Sequence, residues 1–164
     1  MDISLMHSKI GKFLVKTIYM FPVGYLAWII TNGSHFEHPY IPFVAGIGIA
    51  SLIVCRHVFD YETFDDIKTE DFLESKHSFN IDYSEKNWNQ IREVLESQFI
   101  QVVNFKESDG FIFMQIDKRF FNSILIVEKI DHKINLRIKR KNFNFFPDNA
   151  DNYRTIKTLM KIIK

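Results

Sequence analysis

The chain of 164 residues has a single cysteine, Cys55, so no disulfide can close within it, and a reducing compartment suits its soluble part. The sequence patterns by which catalysis is usually read are missing too. There is no glycine-rich phosphate loop, no Cys/His spacing for zinc and no Gly-x-Ser-x-Gly elbow. His35 and His38 flank Glu37 in a short polar loop, but two histidines without further ligands are ordinary loop residues more often than a metal site. A non-enzymatic protein with no cofactor is therefore expected. Disorder is excluded by the aromatic content, which includes seventeen Phe. Net charge is only +1, yet its placement is uneven. Residues 1–59 carry four Lys/Arg against two acids, residues 60–75 one against seven, and residues 76–164 sixteen against eleven.

Charge is scarcest between Phe13 and Val58, where two apolar runs flank a polar break. The first, Phe13 to Ile30, holds one charge, Lys16, close enough to its start to snorkel to lipid headgroups. At 1.5 Å per residue it reaches about 27 Å, and the uncharged second run, Pro39 to Cys55, about 26 Å, both near the roughly 30 Å of a bilayer core. Tyr19, Tyr25, Trp28 and Tyr40 suit interfacial positions. A cleaved signal peptide fits poorly, because the first run exceeds an ordinary apolar core region and a second follows at once. The sequence thus predicts an integral membrane hairpin. The break from Thr31 to His38 has no Lys or Arg, whereas Lys9, Lys12 and Lys16 precede the hairpin and Arg56 follows it, so both termini are expected on the cytoplasmic side. Pro22 beside Gly24 predicts a kink in the first helix. In the second, Gly46 and Ala50 have the small-xxx-small spacing that lets helix backbones approach closely, either within the hairpin or between copies of the chain. Cys55 can serve as a small apolar filler or, at this depth, as a lipidation site.

Three regions follow from this: residues 1–59 as a lead-in and hairpin, 60–75 as an acidic linker, and 76–164 as one small domain. The linker reads as a short helix or a semi-ordered stalk, its acidity repelled by anionic lipid. Beyond it, Phe79 to Tyr83 alternates as a strand. Ser84 can cap a helix whose apolar face is Trp88, Ile91, Leu95 and Phe99. Strand-like runs follow at Ile100–Lys106, Gly110–Asp117, Asn122–Ile130 and Lys133–Lys141, with gaps short enough for antiparallel hairpins. Asp151 can open a last helix with Tyr153, Ile156, Leu159, Met160 and Ile163 on one side. The expected fold is therefore a membrane α-hairpin followed by a two-layer α+β domain of strand, helix, four antiparallel strands and helix. That order resembles, in topology alone, the repeat unit of the TATA-binding-protein fold, and topology carries no function.

In the last strand Ile134, Leu136 and Ile138 form an inward set. Lys133, Asn135, Arg137, Lys139 and Lys141 project to the other face. Lys133, Arg137, Lys139 and Lys141 are the candidate ligand residues, since basic side chains beside aromatics suit phosphates and bases. A solvated edge that discourages strand pairing, or attraction to anionic lipid, would use the same residues. In layout, an N-terminal hairpin followed by a compact domain with a basic ribbon, the chain resembles small two-helix membrane effectors of bacterial antiviral systems. Among these are the cyclic-oligoadenylate-activated membrane proteins of type III CRISPR systems. That resemblance implies a bacterial inner-membrane protein that binds a phosphate-bearing signal such as a cyclic oligonucleotide. It further implies self-association of the hairpin, through Gly46 and Ala50 in this sequence, and loss of bilayer integrity. Lipid, a cyclic oligonucleotide and further copies of the chain are the expected partners; double-stranded DNA is not. The alternative is a tethered protein-interaction module whose hairpin is only an anchor.

Overall fold

The computed structural model describes residues 8–33, 38, 40–98, 102–118, 122–143 and 146–163. The chain divides into two compact units, Met1–Glu74 with Phe145–Ala150, and Ser75–Asn144 with Asp151–Lys164.

In the first unit, α1 (Lys9–Asn32) and α2 (Tyr40–Glu62) are both longer than the apolar runs that announced them. Ser8 supplies the start of α1, its hydroxyl accepting from the Gly11 N–H at 3.0 Å, which satisfies one of the free donors of the first turn. Gly33, at φ 82, closes it and gives its N–H to the Ile29 carbonyl at 2.8 Å. The helix is continuous through Pro22. With 24 and 23 residues the helices reach about 36 and 35 Å, and both are long and apolar enough to cross a membrane. Their outward residues are apolar: Ile18 and Leu52 are each 71% exposed and Ile30 82%. Apolar side chains thus face outward along both helices.

Small residues lie where the two backbones come closest. Gly24 of α1 and Gly46, Ala50 and Val54 of α2 are buried. A Cβ at Gly24 would stand 2.3 Å from the Gly46 carbonyl oxygen and 3.0 Å from the Ala50 nitrogen, so the backbones touch where only glycine fits. Beyond α2, residues 63–74 form successive turns packed within the same unit. Tyr61, buried near the end of α2, donates its hydroxyl to the Glu74 carbonyl at 2.5 Å and reaches the Asp148 carboxylate at 3.3 Å. One phenol thereby holds both pieces of chain that complete the unit.

The second unit is an α+β arrangement of β1 (His77–Asp82), α3 (Glu85–Gln98), β2 (Val102–Ser108), β3 (Phe111–Ile116), β4 (Ser123–Ile130), β5 (Lys133–Arg140) and α4 (Asp151–Ile163). Ser84 caps α3 as its position predicts, accepting from the Asn87 N–H at 3.0 Å. Phe99 lies outside the described residues. The strands form one antiparallel sheet in the order β1-β5-β4-β3-β2. Asp109-Gly110 and Asp131-His132 are two-residue turns, as the pairings Ser108 with Phe111 and Ile130 with Lys133 require. Since side chains alternate, these turns decide which residues share a face. Ile112, Met114, Leu125, Val127, Ile134, Leu136 and Ile138 point to one side. There they form the core with Ile91 and Leu95 of α3 and Ile156 and Leu159 of α4. Both helices of the unit cover that side and neither covers the other.

Candidate functional site

The face of the sheet opposite α3 and α4 carries the basic ribbon. Across it run three rows set by the strand register. Lys139 is paired with Ile124, which is paired with Gln115. Beside it, Ser78, Arg137, Ile126, Phe113 and Lys106 follow one another from β1 to β2. The third row is Asn80, Asn135, Glu128, Phe111 and Ser108. Ile124, Ile126, Phe111 and Phe113 are half-buried and lie outside the core cluster, so the middle of the face is an apolar and aromatic floor. Polar and charged residues surround it.

All four basic residues singled out in the sequence project to this face, but they are not equivalent. Arg137 is already engaged, its Nε donating to Asn135 Oδ1 at 3.1 Å and one terminal nitrogen lying 3.7 Å from a Glu128 carboxylate oxygen. At 3.7 Å this is a loose and partly exposed pair, worth little by itself. Lys141 donates to the neutral amide oxygen of Gln115 at 3.1 Å, which orients its ammonium without cancelling the charge. Lys139 is half-buried and Lys133 exposed, and among the described residues neither has a carboxylate within ion-pair distance. Six residues at about 3.3 Å place Lys133 roughly 20 Å from Lys139. The structure thus brings together Arg137, Lys139 and Lys141, with Gln115, and leaves Lys133 at the far end of the strand. There a pocket of about 420 Å³ is lined by Asn80, Ile130, Asp131, His132, Lys133 and Asn135.

Glu128 and Gln115 belong to the face without being singled out from the sequence, and Asn135, placed on it by alternation, is a partner of Arg137 rather than a candidate ligand residue. The signal was present: a two-residue turn at Asp131-His132 pairs residue 130 with 133, hence 128 with 135, and alternation then puts Glu128 beside Arg137. Arg140, next to the ribbon in sequence, points the other way and is buried on the core side.

The second candidate pair, Gly46 and Ala50, faces the chain's own first helix. A Cβ on Gly46 would lie 3.1 Å from backbone atoms of Tyr25, while Gly48, two residues on, has open space around it. Of the two uses the spacing allowed, this structure displays closure of the hairpin on itself. Among the described residues no group of three or more His, Cys, Asp or Glu could hold a metal ion. Of the two loop histidines, His35 lies outside the described residues and His38 stacks on Tyr40 with ring centroids 5.5 Å apart.

What the open face can do follows from its parts. Aromatic and aliphatic side chains offer area for a flat or apolar ligand. Two lysines with no ion pair among the described residues and one loosely paired guanidinium at one end offer charge-assisted donors for an anion. No family model matches the sequence, and no curated protein matches it either.

Proposed function

We propose that the chain is a membrane-anchored effector whose α+β domain binds a phosphate-bearing signal, of which a cyclic oligonucleotide is the leading candidate. Binding alters or permeabilises the membrane through the hairpin and copies of it, and the protein acts by binding rather than by catalysis. The observation that carries the reading is the end of β5. Among the described residues Lys139 and Lys141 have no carboxylate partner there, beside Arg137, on a sheet face whose centre is Ile124, Ile126, Phe111 and Phe113. An anion set over that end gains charge-assisted hydrogen bonds, and a base attached to it gains stacking area. The rest of the reading is supported by two helices of spanning length and by the layout of hairpin followed by domain. It places the chain in a bacterial inner membrane with both termini cytoplasmic.

Titration of the full chain in lipid nanodiscs against a panel of cyclic oligonucleotides tests this. Each charge-assisted contact is worth roughly 1.5–3 kcal/mol, so Arg137→Ala with Lys139→Ala lowers affinity at least tenfold. Glu128→Gln, which removes the carboxylate competing for Arg137, tightens it. No binding at micromolar concentration, or equal binding by the double variant, would leave the tethered interaction module as the function. That module is favoured by one observation already made, the closure of Gly46 and Ala50 onto Gly24 within a single chain.

A further inference from the structure

Basic residues at the start of a membrane helix ordinarily meet lipid phosphate. Here they meet the chain itself. Lys9, Lys12 and Lys16 lie on one side of α1, at i, i+3 and i+7. Lys12 donates to the Glu70 carbonyl at 2.7 Å and the Phe72 carbonyl at 3.5 Å, and stands 3.5 Å from a Glu74 carboxylate oxygen. Lys16 reaches the other oxygen of that carboxylate at 3.3 Å. Lys9 sits over the Phe72 ring, 5.2 Å from its centroid. The side chains of Lys12 and Lys16 are only 13% and 16% exposed under this cover. Among the described residues the ion pairs of Lys12 and Lys16 are both to the one Glu74 carboxylate, the other acceptors of Lys12 are neutral carbonyls, and Lys9 lines an apolar pocket with Phe72 and Glu62. Lys16 lies inside the apolar run, and Glu74 is the group its ammonium meets there.

We propose that the Lys9, Lys12 and Lys16 row is a binding site for the phosphate of an anionic phospholipid, occupied in this state by Glu74. Residues 68–74 then form a latch that anionic lipid displaces. Lys9, the exposed member, makes the first contact. The incoming phosphate takes the place of the Glu74 carboxylate, because Lys12 and Lys16 have little exposed surface while Glu74 is seated. Loss of that pair removes one hold on a segment that buried Phe72 and Leu73 and the Tyr61 hydroxyl on the Glu74 carbonyl otherwise keep in place, and loosens its turn hydrogen bonds, such as those from the Asp71 and Phe72 N–H groups to the Lys68 carbonyl at 3.0 and 3.1 Å. The inference rests on the hairpin lying in a membrane, and the test separates the two.

The full chain is reconstituted in phosphatidylcholine vesicles with and without phosphatidylglycerol, and hydrogen exchange is followed at the Asp71 and Phe72 amides. Failure to insert into either vesicle overturns the membrane reading itself. With insertion established, the expected result is exchange at least tenfold faster in phosphatidylglycerol, and fast exchange of Glu74→Gln in both lipids. Equal exchange of the parent chain in the two vesicles overturns the proposal. So does the same acceleration by inorganic phosphate at matched ionic strength in phosphatidylcholine, which would assign the site to a free anion. Native mass spectrometry gives a readout independent of any variant: retention of phosphatidylglycerol over phosphatidylcholine by the parent chain is expected, and equal retention contradicts it.

Discussion

Replacing Gly24 with Ala is the smallest change that tests how the hairpin is built. The added Cβ would lie 2.3 Å from the Gly46 carbonyl oxygen, about 1 Å inside ordinary contact, and 3.0 Å from the Ala50 nitrogen. Both obstacles are backbone, so no side-chain rotation relieves them and the helices must separate along their seam. Overpacking of this kind costs roughly 1–3 kcal/mol. Within lipid the loss is felt as packing, because apolar burial does not drive helix association there. In Gly48→Ala the same methyl group is added on the same helix as Gly46, but into open space, and the better helix propensity of Ala leaves it neutral or slightly stabilising. Steric-trap unfolding in bicelles, repeated over a range of protein concentrations, measures both variants. Gly24→Ala should lose stability by about one to two decades in the folding equilibrium, independent of concentration, while Gly48→Ala does not. Equal behaviour of the two, or a loss that vanishes on dilution, would refute the intramolecular seam.

Tyr61→Phe removes the hydroxyl that joins the Glu74 carbonyl to Asp148 and leaves buried acceptors without that donor. A loss of about 1–3 kcal/mol in thermal unfolding is expected. In the second unit Ile138→Ala should cost roughly 2–5 kcal/mol, since Ile138 has no exposed surface. Arg137→Ala, on the open face, should stay within about 0.5 kcal/mol; chemical denaturation of both compares the two faces of one strand. In a Cys55→Ser background, an impermeant thiol reagent applied from outside should label a cysteine at Ser34 and miss one at Ser78, and the reverse pattern would invert the topology.

The strands of the second unit were legible to within about two residues, β1 beginning at His77 rather than Phe79 and β2 running on to Ser108 rather than Lys106, because local chemistry wrote them. Short turns at Asp109-Gly110 and Asp131-His132 separate alternating runs, and the resulting register leaves one arrangement of inward side chains. Ser84 marks its helix for a similarly local reason. The hairpin was legible as two spans but not in its extent. Hydropathy reports where lipid is tolerated, whereas Lys9 to Lys12 and Arg56 to Glu62 are helical through capping and continued hydrogen bonding. Along the sequence the acidic segment suggests a short helix or a semi-ordered stalk, because its charges have few opposite charges nearby in the chain. Its partners, Lys12 and Lys16, are some 60 residues away, and no period or spacing connects them. Of the candidate site, the direction of Lys133, Arg137, Lys139 and Lys141 followed from alternation alone. The pairing of Arg137 with Glu128 needed the register, and the buried side of Arg140 needed the alternation to be carried two residues past Ile138.

The central claim, that a ligand on the basic face is read out by the membrane, is tested most directly by dye efflux from liposomes carrying the full chain, with a cyclic oligonucleotide panel added to the side bearing the α+β domain. Efflux should depend on one or more members of the panel, be abolished by Arg137→Ala with Lys139→Ala, and weaken as salt rises, because exposed charges are screened over about 8–10 Å. Intact vesicles at every ligand tested, with the chain shown to be inserted, or efflux that the double variant preserves, would contradict it.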